Sequence, residues 1–218
     1  MLAEMLHKIT SPPIINQQED SIIWPHDKKG FSVKSMYEFL TAGSIPNHYL
    51  KSFIWNPHIP PKICFFSWEA SLNKILTLDN LKKRGHQLPN CCYMCSNHEE
   101  SPSHLLLQCP YARTIWFEIM PLSSWCWTTP RDLLHLAYCW SRPGLSTTGK
   151  HIWQFIPAAI IWSIWTERNA RAFEGKAKPT NRMVIEIKYM ICFWAKHSST
   201  DFHYTTAQSI LNWDSLFL

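Results

Sequence analysis

From residue 183 to residue 194 the apolar side chains of Met183, Val184, Ile187, Met190, Ile191 and Trp194 recur at i, i+1, i+4, i+7, i+8 and i+11, the stripe of a helix packed on one face. Residues 150–173 are apolar nearly all round as far as Glu167, then turn charged and stop near Gly175, which predicts a second long helix with a buried first half. Residues 62–73, opened by a proline cluster at 57–61, carry Ile63, Phe65, Phe66, Trp68, Ala70 and Leu72 on more than one face and so predict a central helix. Shorter helices are expected from a Thr77 cap to Gly85, over 111–120, from Thr129 and Pro130 to Trp140, and over 36–40 with Ser32 or Ser35 as cap. Alternation changes period near the start of the chain. Ser21 to Trp24 and Phe31 to Val33 flank a turn-rich Pro25 to Gly30 and predict a β-hairpin. The run SRPGLSTTG, residues 141–149, is the clearest linker and the best candidate for a domain boundary.

Composition agrees with a packed protein. Hydrophobic residues make up 46% and charged residues 17%, the reverse of a disordered chain. The 12 Trp are spread along the sequence, which predicts several large buried contacts and not one aromatic surface. Residues 152–165 are the most apolar stretch, yet they are too short to span a bilayer and contain Gln154 and Pro157, so no membrane partner is expected. No secretory leader pattern and no Asn-x-Ser/Thr acceptor occurs, and an intracellular, reducing compartment is the expectation, with nucleus and cytoplasm both open. The net charge of +5 permits a polyanion partner without demanding one.

The densest chemistry lies in CCYMCSNHEESPSHLLLQCP. Cys92-x2-Cys95 is followed by His104 and Cys109, a complete Cys3His set with the spacing of a structural zinc site, in which four protein ligands leave no open position for catalysis. The polar stretch from Ser96 to Pro102, with Glu99 and Glu100, reads as the loop that returns the chain to the metal. Ser103 is placed to cap a short helix carrying His104, and Pro110 suits the first turn of the next one. Cys91 offers an alternative first ligand through Cys91-x3-Cys95. Cys64, Cys126, Cys139 and Cys192 stand alone among apolar residues and read as inert core thiols. The fold expected is mostly α with a small N-terminal β-hairpin: a lead-in at 1–19, a zinc-stabilised domain at 20–120, a helix and linker at 121–149 and a helical region at 150–218.

Two basic clusters are the candidate contacts for a polyanion. Lys82, Lys83 and Arg84 lie shortly before Cys92, and Arg168, Arg171, Lys176, Lys178 and Arg182 form a second stretch. The first cluster has an alternative role, because cations in the last turn of a helix complement its dipole whether or not a ligand is present. Catalytic groups are not evident. The chain has no adjacent aspartates for two-metal chemistry and no Gly-rich phosphate loop. The acidic residues of the C-terminal third, Glu167, Glu174, Glu186, Asp201 and Asp214, are scattered, the first three on helices among solvent-facing polar neighbours.

Three phrases in order, GFSVKSMYEFL, IWNPHIPPKICFFSWEASLNKILTLDNLKKRG and the cysteine-histidine segment, resemble the reverse-transcriptase zinc-binding domain of plant LINE-type retroelement proteins over roughly residues 20–118. The later WSIWTERNARAFEGK resembles the segment that follows that domain. The resemblance implies one structural Zn2+ held by Cys92, Cys95, His104 and Cys109. It implies a connector between polymerase and ribonuclease H domains, with RNA or DNA bound without sequence choice or other retroelement domains as partners. It brings no active site. A non-catalytic, retroelement-derived accessory module is the expectation, and a structural platform or a functionless fragment is the alternative.

Overall fold

The computed structural model describes residues 32, 36, 47–121, 128–140, 144–199 and 202–218. Met1–Ile45 and Pro46–Leu218 are separate compact units. In the first, Met36 is helical and its N–H donates to the Ser32 carbonyl at 3.0 Å. The expected hairpin lies outside the described residues except for Ser32, which is in no strand. Among the described residues there is no strand at all, so the N-terminal β element of the expected fold is not supported and the observed class is helical.

The second unit is built from α1 (Asn47–Ile54), α2 (Pro61–Ser71), α3 (Leu78–Lys83), a π-helical turn (His104–Gln108), α4 (Pro110–Ile119), α5 (Leu133–Cys139), α6 (Thr147–Trp153), α7 (Ile156–Glu174), α8 (Thr180–Ser198), α9 (Thr206–Leu211) and a 3-10 turn (Asp214–Phe217). Helix α7 lies against α2, α4, α8 and the π turn, and α8 lies against α4, α6 and α9. The stripe expected on α8 is the packed one: Met183, Val184, Ile187, Ile191 and Trp194 are buried, with Met190 at the edge. No helix among the described residues is long and apolar enough to cross a membrane.

The helix expected over 150–173 is two helices. Pro157 has no N–H for the Trp153 carbonyl and its ring would crowd that oxygen, so the chain breaks after Trp153 and restarts with the proline in the first turn of α7. Gly175 ends α7 in the left-handed conformation at φ 64°, as its position suggested.

One core runs from Ile54 to Phe217 across the stretch read as a linker. The Trp140 and Trp153 rings stack at 4.4 Å, and each indole N–H donates to the other's carbonyl, at 3.2 and 2.7 Å. Ser146 caps α6 by accepting from Gly149 N–H and donates to the Leu216 carbonyl, both at 2.9 Å. A Cβ on Gly149 would meet Phe217 Cα at 2.9 Å, so the terminal turn packs against backbone that only glycine can offer.

Candidate metal centre

Cys92 and Cys95 sit on a turn closed by Ser96 N–H donating to the Cys92 carbonyl at 2.8 Å, with Ser96 at φ 57°. Cys92 N–H in turn donates to the His98 carbonyl at 2.8 Å, which folds the following loop back over the turn. The other two ligands flank the π turn. Cys109 N–H reaches the His104 carbonyl at 2.6 Å, an i to i+5 closure. In an α-helix residues five apart point about 140° away from each other. The wider π turn sets His104 and Cys109 on one side, a local reason for π geometry at this point. The cap of this segment is Ser101 and not Ser103: His104 N–H donates to Ser101 Oγ at 3.2 Å, with Pro102 in the first turn. The π turn's Leu106 carbonyl accepts from the Trp116 indole at 2.8 Å.

The ligand atoms of Cys92, Cys95, His104 and Cys109 all lie within 4.8 Å of one another. Tetrahedral zinc with Zn–S of about 2.3 Å and Zn–N of about 2.0 Å sets neighbouring ligand atoms roughly 3.5–3.8 Å apart. Cys95 Sγ and His104 Nε2 are already 3.4 Å apart. The quartet fits one structural Zn2+, closed by four protein ligands. Cys91 is exposed and outside the cluster while Cys92 is fully buried, so the first ligand is Cys92.

Hydrogen bonding to Cys109 and then burial push the Cys92 thiol well up, and the same hydrogen bond holds Cys109 down as the partner that accepts. Burial, then the neighbouring His98, depresses the His104 imidazole below its usual value, favouring the neutral form that a metal needs. Of the other thiols among the described residues, Cys64 and Cys192 are buried as expected. Cys139 is exposed, which corrects its reading as a core thiol.

The loop between the two ligand pairs is not the solvated connector its composition suggested. Glu100 is fully buried. Its carboxylate accepts from Arg168 Nη2 at 2.7 Å and from Arg168 Nε at 3.2 Å to each oxygen, and Arg168 is itself 2% exposed. The same carboxylate accepts the Leu78 N–H at 3.1 Å, and the Glu100 carbonyl takes the Asp79 N–H at 3.3 Å. Glu100 therefore caps α3. Thr77 occupies the cap position, but its hydroxyl donates to Asp79 instead. One turn along α7, Arg171 Nε donates to Glu167 at 2.8 Å and its Nη1 to the Met94 carbonyl, inside the cysteine turn, at 3.2 Å. The guanidinium also lies 4.6 Å from the Tyr111 ring.

These contacts correct the second basic cluster. Arg168 and Arg171 face inward and hold the zinc loop to α7, so their guanidinium groups are not presented to phosphates. Glu167 is buried as well, against the expectation of a solvent-facing acid, and its Oε2 has no protein partner. The outer members of the stretch are engaged with carboxylates: Lys176 with Glu174, and Lys178 and Arg182 with Glu186. The first cluster remains outside. Helix α3 ends in a Schellman motif, with Gly85 N–H to Lys82 carbonyl at 2.9 Å and His86 N–H to Leu81 carbonyl at 3.1 Å, and Gly85 takes φ 91°. Lys82, Lys83 and Arg84 are exposed there, Lys83 bridging to Asp79 at 2.9 Å.

Residues 31–116 match a family described as zinc-binding in reverse transcriptase, which bears out the resemblance over that stretch. Over 191 residues the chain is 26% identical to a putative ribonuclease H protein of Arabidopsis thaliana, an alignment covering 85% of this chain and 30% of that protein. The chain thus spans less than a third of the length of that relative. No solved structure matches.

Proposed function

We propose that this chain is a non-catalytic accessory module that binds RNA or DNA without sequence preference through the exposed end of α3, with zinc as its organiser. The observation that supports this most is the route from metal to cations. Cys92, Cys95, His104 and Cys109 would fix the 92–109 loop on one ion, Glu100 of that loop caps α3, and the end of α3 with its cap residue Arg84 presents Lys82, Lys83 and Arg84 to solvent. Phosphate contacts of this kind give affinity that falls with salt and carries no sequence information. Among the described residues the carboxylates best shielded from water, Glu100 and Glu167, are engaged by Arg168 and Arg171, which speaks against metal-ion chemistry at either. A setting beside other retroelement domains, in a reducing intracellular compartment of nucleus or cytoplasm, suits three zinc-ligating thiolates.

The test is a titration of the zinc-loaded chain against RNA, single-stranded DNA and duplex DNA at two salt concentrations, repeated with K82A/K83A/R84A. The salt slope of log affinity should fall by about 0.7–0.9 for each phosphate that is no longer neutralised, equally for all sequences. Unaltered affinity and slope would overturn the proposal. A second reading, a protein-interaction platform, is favoured by Ile185, Tyr189 and Phe193, which line one exposed face of α8. It predicts concentration-dependent self-association that Tyr189→Ser reduces.

A further inference from the structure

Lys82 at the end of α3 lines a shallow groove of about 590 Å³ with Gly85, His86, Gln87, Leu88 and Pro89, while the neighbouring Lys83 pairs with Asp79 and Arg84 Nη2 lies 3.5 Å from the Lys74 carbonyl. Every residue from 82 to 89 is exposed, and Leu88 stands 41% open to solvent. The segment is nonetheless held at each end. The Schellman bonds pin Gly85 and His86 to α3, and at the far end Asn90 Oδ1 accepts the Glu100 N–H at 2.8 Å, tying the segment to the zinc loop. The loop between them has a Gly and a Pro but no local acid. The nearest acids in sequence are Asp79, which is paired with Lys83, and Glu99, which is exposed.

Cation, imidazole and exposed aliphatic side by side suit one kind of polyanion better than another. A duplex shows phosphates and base edges to a shallow surface, and Leu88 and His86 would gain nothing from it. Unstacked bases carry π-faces that an imidazole and an aliphatic side chain cover, while the phosphates run past the lysines. We infer that this groove takes a single-stranded nucleic acid in preference to duplex, with Lys82, Lys83 and Arg84 on the phosphates and His86 and Leu88 against bases. The inference rests on the nucleic-acid reading above and adds the strand state and the base-contacting residues.

The experiment measures anisotropy of labelled single-stranded and duplex oligonucleotides of one sequence with the zinc-loaded chain, with inorganic polyphosphate as a competitor that has charge and no bases. The wild-type chain should bind the single strand at least about tenfold more tightly than the duplex, and polyphosphate should displace the duplex more readily than the single strand. H86A/L88S should weaken the single strand by about fivefold or more and leave the duplex unchanged. Zinc content serves as the control for folding. Equal affinity for single strand and duplex overturns the inference, as does H86A/L88S with wild-type binding. If K82A/K83A/R84A still lowers binding of both polymers in that case, the broader reading stands and only the groove assignment fails. If no polymer binds, both fail.

Discussion

Glu100 in the zinc loop and Arg168 in α7, 68 residues apart in sequence, form a buried ion pair whose closest approach is 2.7 Å. Arg168 also lies 4.9 Å from the Tyr93 ring and 5.3 Å from the Trp165 ring, so two aromatic rings flank the cation. The carboxylate holds α3 at the same time. A helix start, a metal loop and the long helix α7 therefore meet at one acidic side chain.

Removing one partner leaves the other buried and charged, which costs about 3–5 kcal/mol, whereas an apolar replacement of both costs much less. Arg168→Met is expected to fall in that range and Glu100→Gln in its lower part, because the amide still accepts the Leu78 N–H. The double substitution should recover part of the loss. Urea unfolding of the zinc-loaded proteins checks this, and strictly additive losses would remove the coupling claimed for the pair.

Zinc should be present at one per chain and depend on Cys92 but not on Cys91. Cys91→Ser is expected to keep full zinc content and Cys92→Ser to lose it, as read by metal analysis of purified protein. Apparent binding energies of such sites are on the order of 10–16 kcal/mol in finger peptides, comparable to a whole domain's stability. Chelation should therefore unfold at least residues 90–118. Because Glu100 and Met94 anchor α7, it should also loosen that helix. Hydrogen exchange that changes in the loop but not around Arg168 would contradict the linkage.

The metal ligands were legible because spacing within eighteen residues is a local property, and Gly85, Pro110, Gly175 and the α8 stripe were legible for the same reason. Glu100, Glu167, Arg168 and Arg171 were not. Each looks like a solvated charge among polar neighbours. Glu100 and Arg168 meet across 68 residues and Arg171 reaches the Met94 carbonyl, neither of which sequence can point to, whereas Glu167 and Arg171 are one helical turn apart and only their burial was hidden. The break before Pro157 was locally encoded, but the mostly apolar run on either side of it masks the proline. The stretch 141–149 has the composition of a linker, yet Trp140 before it and Trp153 after it stack on each other in one core. The two tryptophans that bracket it are what join its sides.

If Trp140 and Trp153 join their segments into one core, loosening them should not free a second folding unit. Trp153→Phe keeps a stacked ring and loses one indole donor at 2.7 Å, with an expected cost of about 1 kcal/mol. Trp153→Ala should cost about 3–5 kcal/mol. In each variant, thermal unfolding followed by tryptophan fluorescence and by circular dichroism should remain one coincident transition. Two separated transitions would show instead that residues 144–218 fold on their own.

Asp132 caps α5 by accepting the His135 N–H at 2.9 Å, and its carboxylate also meets the His135 ring at 2.7 Å and Arg131 at 3.2 Å. Burial alone would raise the carboxyl, but the hydrogen bonds from His135 and Arg131 outweigh it and hold the group below its usual value of 3.8. The unfolded chain then takes up the proton first. The stabilisation is complete above the ordinary carboxyl range and drains away as pH falls through the lowered value in the folded state. Asp132→Ala should cost about 1 kcal/mol at neutral pH, the usual worth of a cap. Asp132→Asn should keep the cap at neutral pH and lose part of the decline in acid, because its acceptor does not titrate. Acid also displaces zinc from its ligands, so the measurement is the difference in melting temperature between wild type and Asp132→Asn from pH 6 down to pH 2. A difference that narrows towards low pH is the expected outcome, and one that stays constant would show that the Asp132 carboxylate contributes nothing to acid sensitivity.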